Sequence, residues 1–197
     1  GAPCNVCDEP GYAVITKINL DGSRKEIIAT GIRNTVGMTF HPQTNELWFT
    51  DNGRDMLGDD LPPGELNKLS FKGEHFGFPF CHGSQVVDPE YGSLGSCSDI
   101  TAPVQELDAH VAPLGLKFYT GTMFPEDYHN QVFIPEHGSW NRSEKSGYRV
   151  TLVKLDQDQA ISYETFASGW LKDEESLGRP TDLLVLPDGS MLISDDQ

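Results

Sequence analysis

A chain of 197 residues, 37% of them hydrophobic, is long enough to bury a core of its own, and it contains no run of about 18 apolar residues that would cross a membrane as a helix. Its formal net charge of −16 repels phosphate backbones, which argues against nucleic acid as a partner; it suits plain solubility or the oxygen ligands that calcium needs. The 20 Gly and 13 Pro spread along the chain require many turns, hence many short strands.

Residue 1 is not Met and no leader pattern follows it, so the natural start is expected upstream. Cys4 and Cys7 open the chain as C-x-x-C among Pro3, Asp8, Pro10 and Gly11, which mark a loop rather than the strand-to-helix turn of a redox motif. No His follows Cys7, which speaks against covalent haem attachment, and Cys81 with Cys97 does not supply the second C-x-x-C of a zinc site. The simplest pairing is two local disulfides, Cys4–Cys7 and Cys81–Cys97, and an oxidising compartment; four reduced thiols are the alternative.

Next comes a strand over residues 17–20, followed by an Asp-rich turn, and then a pattern that recurs. Arg33-Asn34-Thr35, Met38-Thr39-Phe40, Pro42 and Leu47-Trp48-Phe49-Thr50-Asp51 correspond to Arg179-Pro180-Thr181, Leu183-Leu184-Val185, Pro187 and Leu192-Ile193-Ser194-Asp195. A looser copy runs through Leu114-Gly115-Leu116-Lys117-Phe118, Pro125 and Gln131-Val132-Phe133-Ile134-Pro135-Glu136. Each copy alternates large apolar residues with period two and reads as strand, turn, strand, with residues 41–45 and Pro187-Asp188-Gly189 as hairpin turns. No segment has a helical period; residues 125–129 and 176–177 are expected to form single turns. Repeated hairpins that cannot bury both faces alone build a β-propeller. The all-β chain is therefore expected to hold about three blades, too few to close a ring of about four to eight.

Two long segments interrupt the repeats, where function is commonly placed. Residues 51–67 hold five acids, two Asn and three Gly, either an oxygen-rich cage for Ca²⁺ or a solvated acidic loop. The second contains His137-Gly138-Ser139-Trp140-Asn141-Arg142, in which His137 is a candidate ligand or proton-transfer group and Trp140 a candidate stacking surface. Arg33 and Arg179 hold the same place in two repeats, so both are expected at one end of the central channel. There they either bind a multiply carboxylated ligand or pair with acids between blades.

Gly31-Ile32-Arg33-Asn34-Thr35-Val36-Gly37-Met38, Asn52-Gly53-Arg54, Glu65-Leu66-Asn67, Gly73-Glu74-His75-Phe76-Gly77-Phe78-Pro79 and Gly178-Arg179-Pro180-Thr181-Asp182 together resemble the soluble pyrroloquinoline-quinone-dependent sugar dehydrogenases, above all the L-sorbosone dehydrogenase-like branch. The resemblance implies a six-bladed ring, of which residues 1–197 are the C-terminal half, needing the remaining half of the propeller to close. It implies a periplasmic or secreted enzyme that oxidises a sugar with hydride passing to the quinone; the electron acceptor is left open. By matching positions, Arg33, Asn34, His137 and Arg179 are implied cofactor contacts. The carbonyls of Gly53 and Arg54 are implied ligands of a catalytic Ca²⁺, and Glu65 with the carbonyl of Phe76 of a structural one. The glucose enzymes carry Lys near the place of His137. The family's general-base His has no counterpart among the six histidines, so this segment alone is expected to be inactive. A calcium-dependent lactonase propeller and a non-enzymatic extracellular binding propeller are the competing readings.

Overall fold

The computed structural model describes Glu9 and residues 11–197 of the chain; Cys4 and Cys7, expected to pair, lie outside the described residues. Strands dominate, and no helix among the described residues is long and apolar enough to cross a membrane. Four strands, Met38–Phe40, Leu47–Asp51, Pro63–Leu69 and Gln105–Ala109, pair in chain order into an antiparallel sheet. A second such sheet joins Lys117–Phe118, Val132–Glu136, Arg149–Asp156 and Gln159–Ala167. Each is a complete propeller blade. Before them, Val14–Lys17 and Glu26–Thr30 form an antiparallel pair joined in parallel by Glu74–His75; after them comes the hairpin of Pro180–Val185 and Met191–Asp195. The first pair matches the outer half of a blade and the last hairpin the inner half, so the chain carries three blades' worth of strands.

The period-two pattern decides which face of each blade meets which neighbour. Trp48 points one way and packs with Leu66, Leu107, Phe118, Val132 and Ile134 between the two complete blades. Phe49 points the other way and meets Ile15, Ala29, Ile32 and Phe76 against the first sheet. Leu183 joins Tyr119, Phe133, Val150 and Leu152 between the second blade and the last hairpin. Inner strands approach closely because Gly37 faces the backbone of Leu114 and Gly115, where a Cβ would meet Gly115 Cα at 2.9 Å. The same seam is bonded, with Thr50 Oγ1 donating to the Leu114 carbonyl at 2.6 Å, and the next seam likewise, with the Gly115 N–H donating to the Thr181 carbonyl at 3.0 Å.

Three sequence expectations are revised. The first strand is Val14–Lys17, so the strand expected over residues 17–20 overlaps it only at Lys17. Residues 51–67 are not one loop: Pro63–Leu69 is the third strand of its blade, so Glu65 lies in the sheet directly opposite Asp51. Ser176 sits not in a helical turn but in a short ladder between Leu171–Lys172 and Glu175–Ser176. The turn expected at residues 125–129 is present as the 3₁₀ segment Glu126–Tyr128.

Cys81 and Cys97 are bonded, as expected, and clip the excursion between the first sheet and the fourth strand of the first blade. Closing a loop with a sequence separation of 16 removes chain entropy from the unfolded state, on the order of 3 kcal/mol. The double substitution Cys81→Ser, Cys97→Ser is therefore expected to lower the urea midpoint without changing the fold, as read by circular dichroism. An unchanged midpoint would show that the clip adds nothing.

Candidate functional site

The site lies where the loops entering the inner strands meet the ends of the second strands. Asp51, at the end of Leu47–Asp51, is buried, with 4% of its surface exposed. Its carboxylate accepts the Arg33 N–H at 2.8 Å and the Asn34 N–H at 2.6 Å, fixing the loop from which both side chains project. Burial pushes its pKa up to about 6, against the pull of those two backbone bonds and of the Arg33 charge. Asp195 repeats the device, accepting the Arg179 N–H at 2.8 Å. In the middle copy Glu136 turns elsewhere, to Arg149 at 2.7 Å and to Thr151 and Tyr163.

The two arginines are thus mounted alike, but their guanidinium groups are used differently. Arg33 donates to the Asn52 carbonyl at 3.1 Å, pairs with Asp55 at 3.2 Å and lines a cavity of about 230 Å³. Arg179 reaches into the neighbouring blade, donating to the carbonyls of His137 at 3.2 Å and Gly138 at 3.0 Å, with its charge 5.5 Å from the centre of the Tyr148 ring. Arg179 does not line the Arg33 cavity. Its guanidinium thus meets backbone carbonyls of the neighbouring blade rather than an acid. His137 does not line that cavity either; its Nε2 lies 2.9 Å from Asp196.

Asn34, Asn52, Gly53, Trp140 and Asn141 wall the cavity together with Arg33. Asn52 bridges two blades, donating to the carbonyls of Asn34 at 3.0 Å and Pro113 at 3.1 Å. Position 53 requires glycine, because a Cβ there would meet the Pro63 carbonyl at 2.6 Å. No hydrogen bond ends on the carbonyls of Gly53, Arg54 or Phe76 among the described residues, so all three keep lone pairs for a ligand. The Arg54 side chain turns away, paired with Asp88 at 2.7 Å and Glu90 at 3.4 Å.

Glu65, 6% exposed, accepts from Asn67 Nδ2 at 2.8 Å and from the Gly83 N–H at 2.7 Å. Burial first and the Asp51 charge second push its pKa up to about 8. Alternation along the strands puts Asp51, Glu65 and Asn67 on the face that carries Phe49, and Phe76 packs edge-on to Phe49 at 5.0 Å. The structure thus brings Glu65 and the Phe76 segment to one face. The Asn67 side-chain oxygen there is buried with no hydrogen-bond partner. Two close buried acids beside an orphan amide oxygen fit a hard cation, which lowers the cost of burying their charge. Among the described residues no group of three or more His, Cys, Asp or Glu gathers as a metal site, so any such ion would rely on carbonyl and amide oxygens.

The sequence presents Asp51 and Asn52 only as members of the acidic segment 51–67, and Asn141 without a role. An acid at the same repeat position in Asp51, Glu136 and Asp195 was the readable sign of the first.

A two-blade arc flanked by half-blades, with basic and amide groups at one end of the inner strands, defines part of a β-propeller. The chain belongs to the glucose/sorbosone dehydrogenase family, whose sequence pattern matches residues 16–167. It is 47% identical over 188 residues to an uncharacterized protein of Borreliella burgdorferi, covering 93% of this chain and 50% of that protein. It superposes on the holo form of the pyranose dehydrogenase PQQ domain from Coprinopsis cinerea with a TM-score of 0.72 at 19% identity, covering 94% of this chain and 59% of that one. The calcium structure of the Trichoderma reesei carbohydrate-active enzymes family AA12 gives a TM-score of 0.67 at 22% identity, covering 86% and 51%. The chain therefore spans about half the length of these proteins.

Asp88 anchors a neighbouring cavity, which shares Arg33 with the site and is also lined by Arg54, Glu90 and Tyr91. It accepts from Arg54, from His82 Nε2 at 2.8 Å and from the N–H groups of Glu90 and Tyr91, both at 2.8 Å. Burial opposes its charge, yet these bonds hold its carboxyl well below the ordinary carboxylate range. A depressed carboxylate stabilises the fold above its unfolded pKa, and that stability is lost as the pH falls through the folded value. Asp88→Ala leaves the buried His82 unpaired and Arg54 with only its 3.4 Å contact to Glu90, and is expected to cost about 3–5 kcal/mol at pH 7. Chemical denaturation at pH 7 and at pH 3 should show the difference between variant and parent shrinking on the acid side. A constant difference would remove the carboxylate's charge from the account.

Proposed function

We propose that the complete protein is a quinoprotein sugar dehydrogenase, with pyrroloquinoline quinone and Ca²⁺ held at the end of the channel where Arg33 lies. The observation that carries this reading is the Arg33 cavity: a cation pinned through its backbone by Asp51 faces the same space as the flat, 66% exposed Trp140. A planar ligand with several carboxylates needs such a pair of features. When bound, the quinone supplies a two-electron acceptor for hydride from a sugar hydroxyl or hemiacetal, and calcium polarises it.

The chain's own residues would bind and orient. Arg33 neutralises a carboxylate, Asn34 and Asn52 offer amide groups, and Trp140 covers one face and excludes water. The carbonyls of Gly53 and Arg54 suit the calcium of the cavity, and Glu65, the Asn67 oxygen and the Phe76 carbonyl suit a structural ion. Arg179 then acts by bracing the His137–Gly138 backbone, a change from the direct cofactor contact expected of it. No proton-transfer group is assigned within this chain.

We further propose that the other half of the ring comes from the rest of a longer protein, exported to the periplasm or secreted. Met38 and Phe40, 50% and 60% exposed, lie on the blade face opposite Trp48, and Leu184 and Leu192, 52% and 53% exposed, lie on the open side of the last hairpin. These apolar faces have the character of blade interfaces.

In the full-length protein, Arg33→Ala is expected to weaken quinone binding at least about tenfold, without rescue by added Ca²⁺, since a buried charged hydrogen bond is lost. Titration calorimetry reads this, and a parent that binds no quinone would overturn the reading. Glu65→Ala is expected to lower the thermal midpoint in millimolar calcium more than Asp173→Ala, a control in an exposed turn. Equal midpoints would make Glu65 a structural acid without an ion.

A further inference from the structure

Asn141 stands out on the cavity wall. Its side-chain oxygen and nitrogen are both buried, and neither has a hydrogen-bond partner among the described residues. Leaving a buried amide unpaired is costly, so native structures rarely keep one without a ligand or an ordered water to complete it.

The loop that carries Asn141 has no freedom to relieve this cost. On one side the Ser139 N–H bonds the Ser146 carbonyl at 2.9 Å, and the Ser146 N–H returns to Ser139 Oγ at 2.9 Å. Tyr148 Oη donates to the Ser139 carbonyl at 2.7 Å, and the Gly138 N–H bonds the Val111 carbonyl at 2.8 Å. On the other side Arg142 donates to the Asp59 carbonyl, and the Ser143 N–H bonds Asp59 Oδ1 at 3.0 Å. The residues on both sides of Asn141 are tied down, and the loop spans from the 137 strand end to the acidic loop of the first blade. A braced loop that holds an unsatisfied amide within the cavity wall is preorganised for binding, because little ordering remains to oppose it.

The amide sets an N–H donor and an oxygen acceptor side by side along one edge. In the same cavity Arg33 supplies a fixed positive charge and Trp140 a flat surface. The complement of these three groups is a planar anionic heteroaromatic whose edge sets a ring N–H beside a carboxylate. We infer that Asn141 is a binding residue for that edge, its oxygen accepting from the ring N–H and its nitrogen donating to the neighbouring carboxylate. The inference rests on the quinoprotein reading, since pyrroloquinoline quinone carries such an edge on its pyrrole ring.

The test uses the full-length protein, pyrroloquinoline quinone with calcium as the probe, and two readouts. The first is quinone affinity by calorimetry. Asn141→Leu is expected to weaken it about tenfold or more, and Asn141→Asp further, because a carboxylate loses the donor and repels the anion. The second is the thermal midpoint without quinone. Asn141→Leu should leave it unchanged or raise it, because an unpaired buried amide has been removed. Two results would each overturn the assignment while leaving the cofactor reading intact: parent-like affinity in both variants, or a midpoint several degrees lower in Asn141→Leu, as for an amide satisfied by structural water. If the parent itself binds no quinone, the cofactor reading fails and this inference falls with it.

Discussion

A carboxylate at the end of a blade's second strand, bonded to the N–H groups of the loop entering its first strand, is the interaction on which the site depends. Asp51 and Asp195 both make it. The bond turns a flexible approach into a fixed one, so the residue that follows projects from the same end of each blade. The buried Asp51 carboxylate is tolerated because two backbone donors and the Arg33 charge offset part of its desolvation. Without that anchor the Arg33 side chain would sample many directions, and its charge would be spent on solvent.

The same seam couples site and fold. Thr50, next to Asp51, bonds the following blade, and Asn52, on the other side, bridges to the Pro113 carbonyl. Three consecutive residues thus cap a loop, join two blades and wall the cavity. Loops can then carry binding groups without moving, because strands whose apolar faces are buried on both sides hold their ends.

The two arginines separate mounting from use. Repeat symmetry places them alike, but the groups they meet are not repeated. Arg33 finds its own blade's Asn52 carbonyl and Asp55; Arg179 finds the free carbonyls of His137 and Gly138 and the Tyr148 ring. A weakly hydrated guanidinium with five donors will bond unpaired carbonyls within its reach, and an insertion in one repeat is enough to supply them.

The sequence by itself determined the repeated inner hairpins and the all-β class, and pointed to about three blades and the 81–97 pairing, because these follow from period-two alternation, turn residues and short-range spacing. It also pointed to Arg33 through its place in the repeat, and to Asn34 and Gly53 through the family resemblance. Tertiary structure alone decided what crosses between blades. It put Glu65 in a strand opposite Asp51 rather than in a loop, gave Arg179 to the neighbouring blade, and left Asn141 buried without a partner. These depend on which carbonyl or carboxylate arrives from residues tens of positions away. No local pattern of residue types encodes that arrival, because it is set by how two blade faces pack.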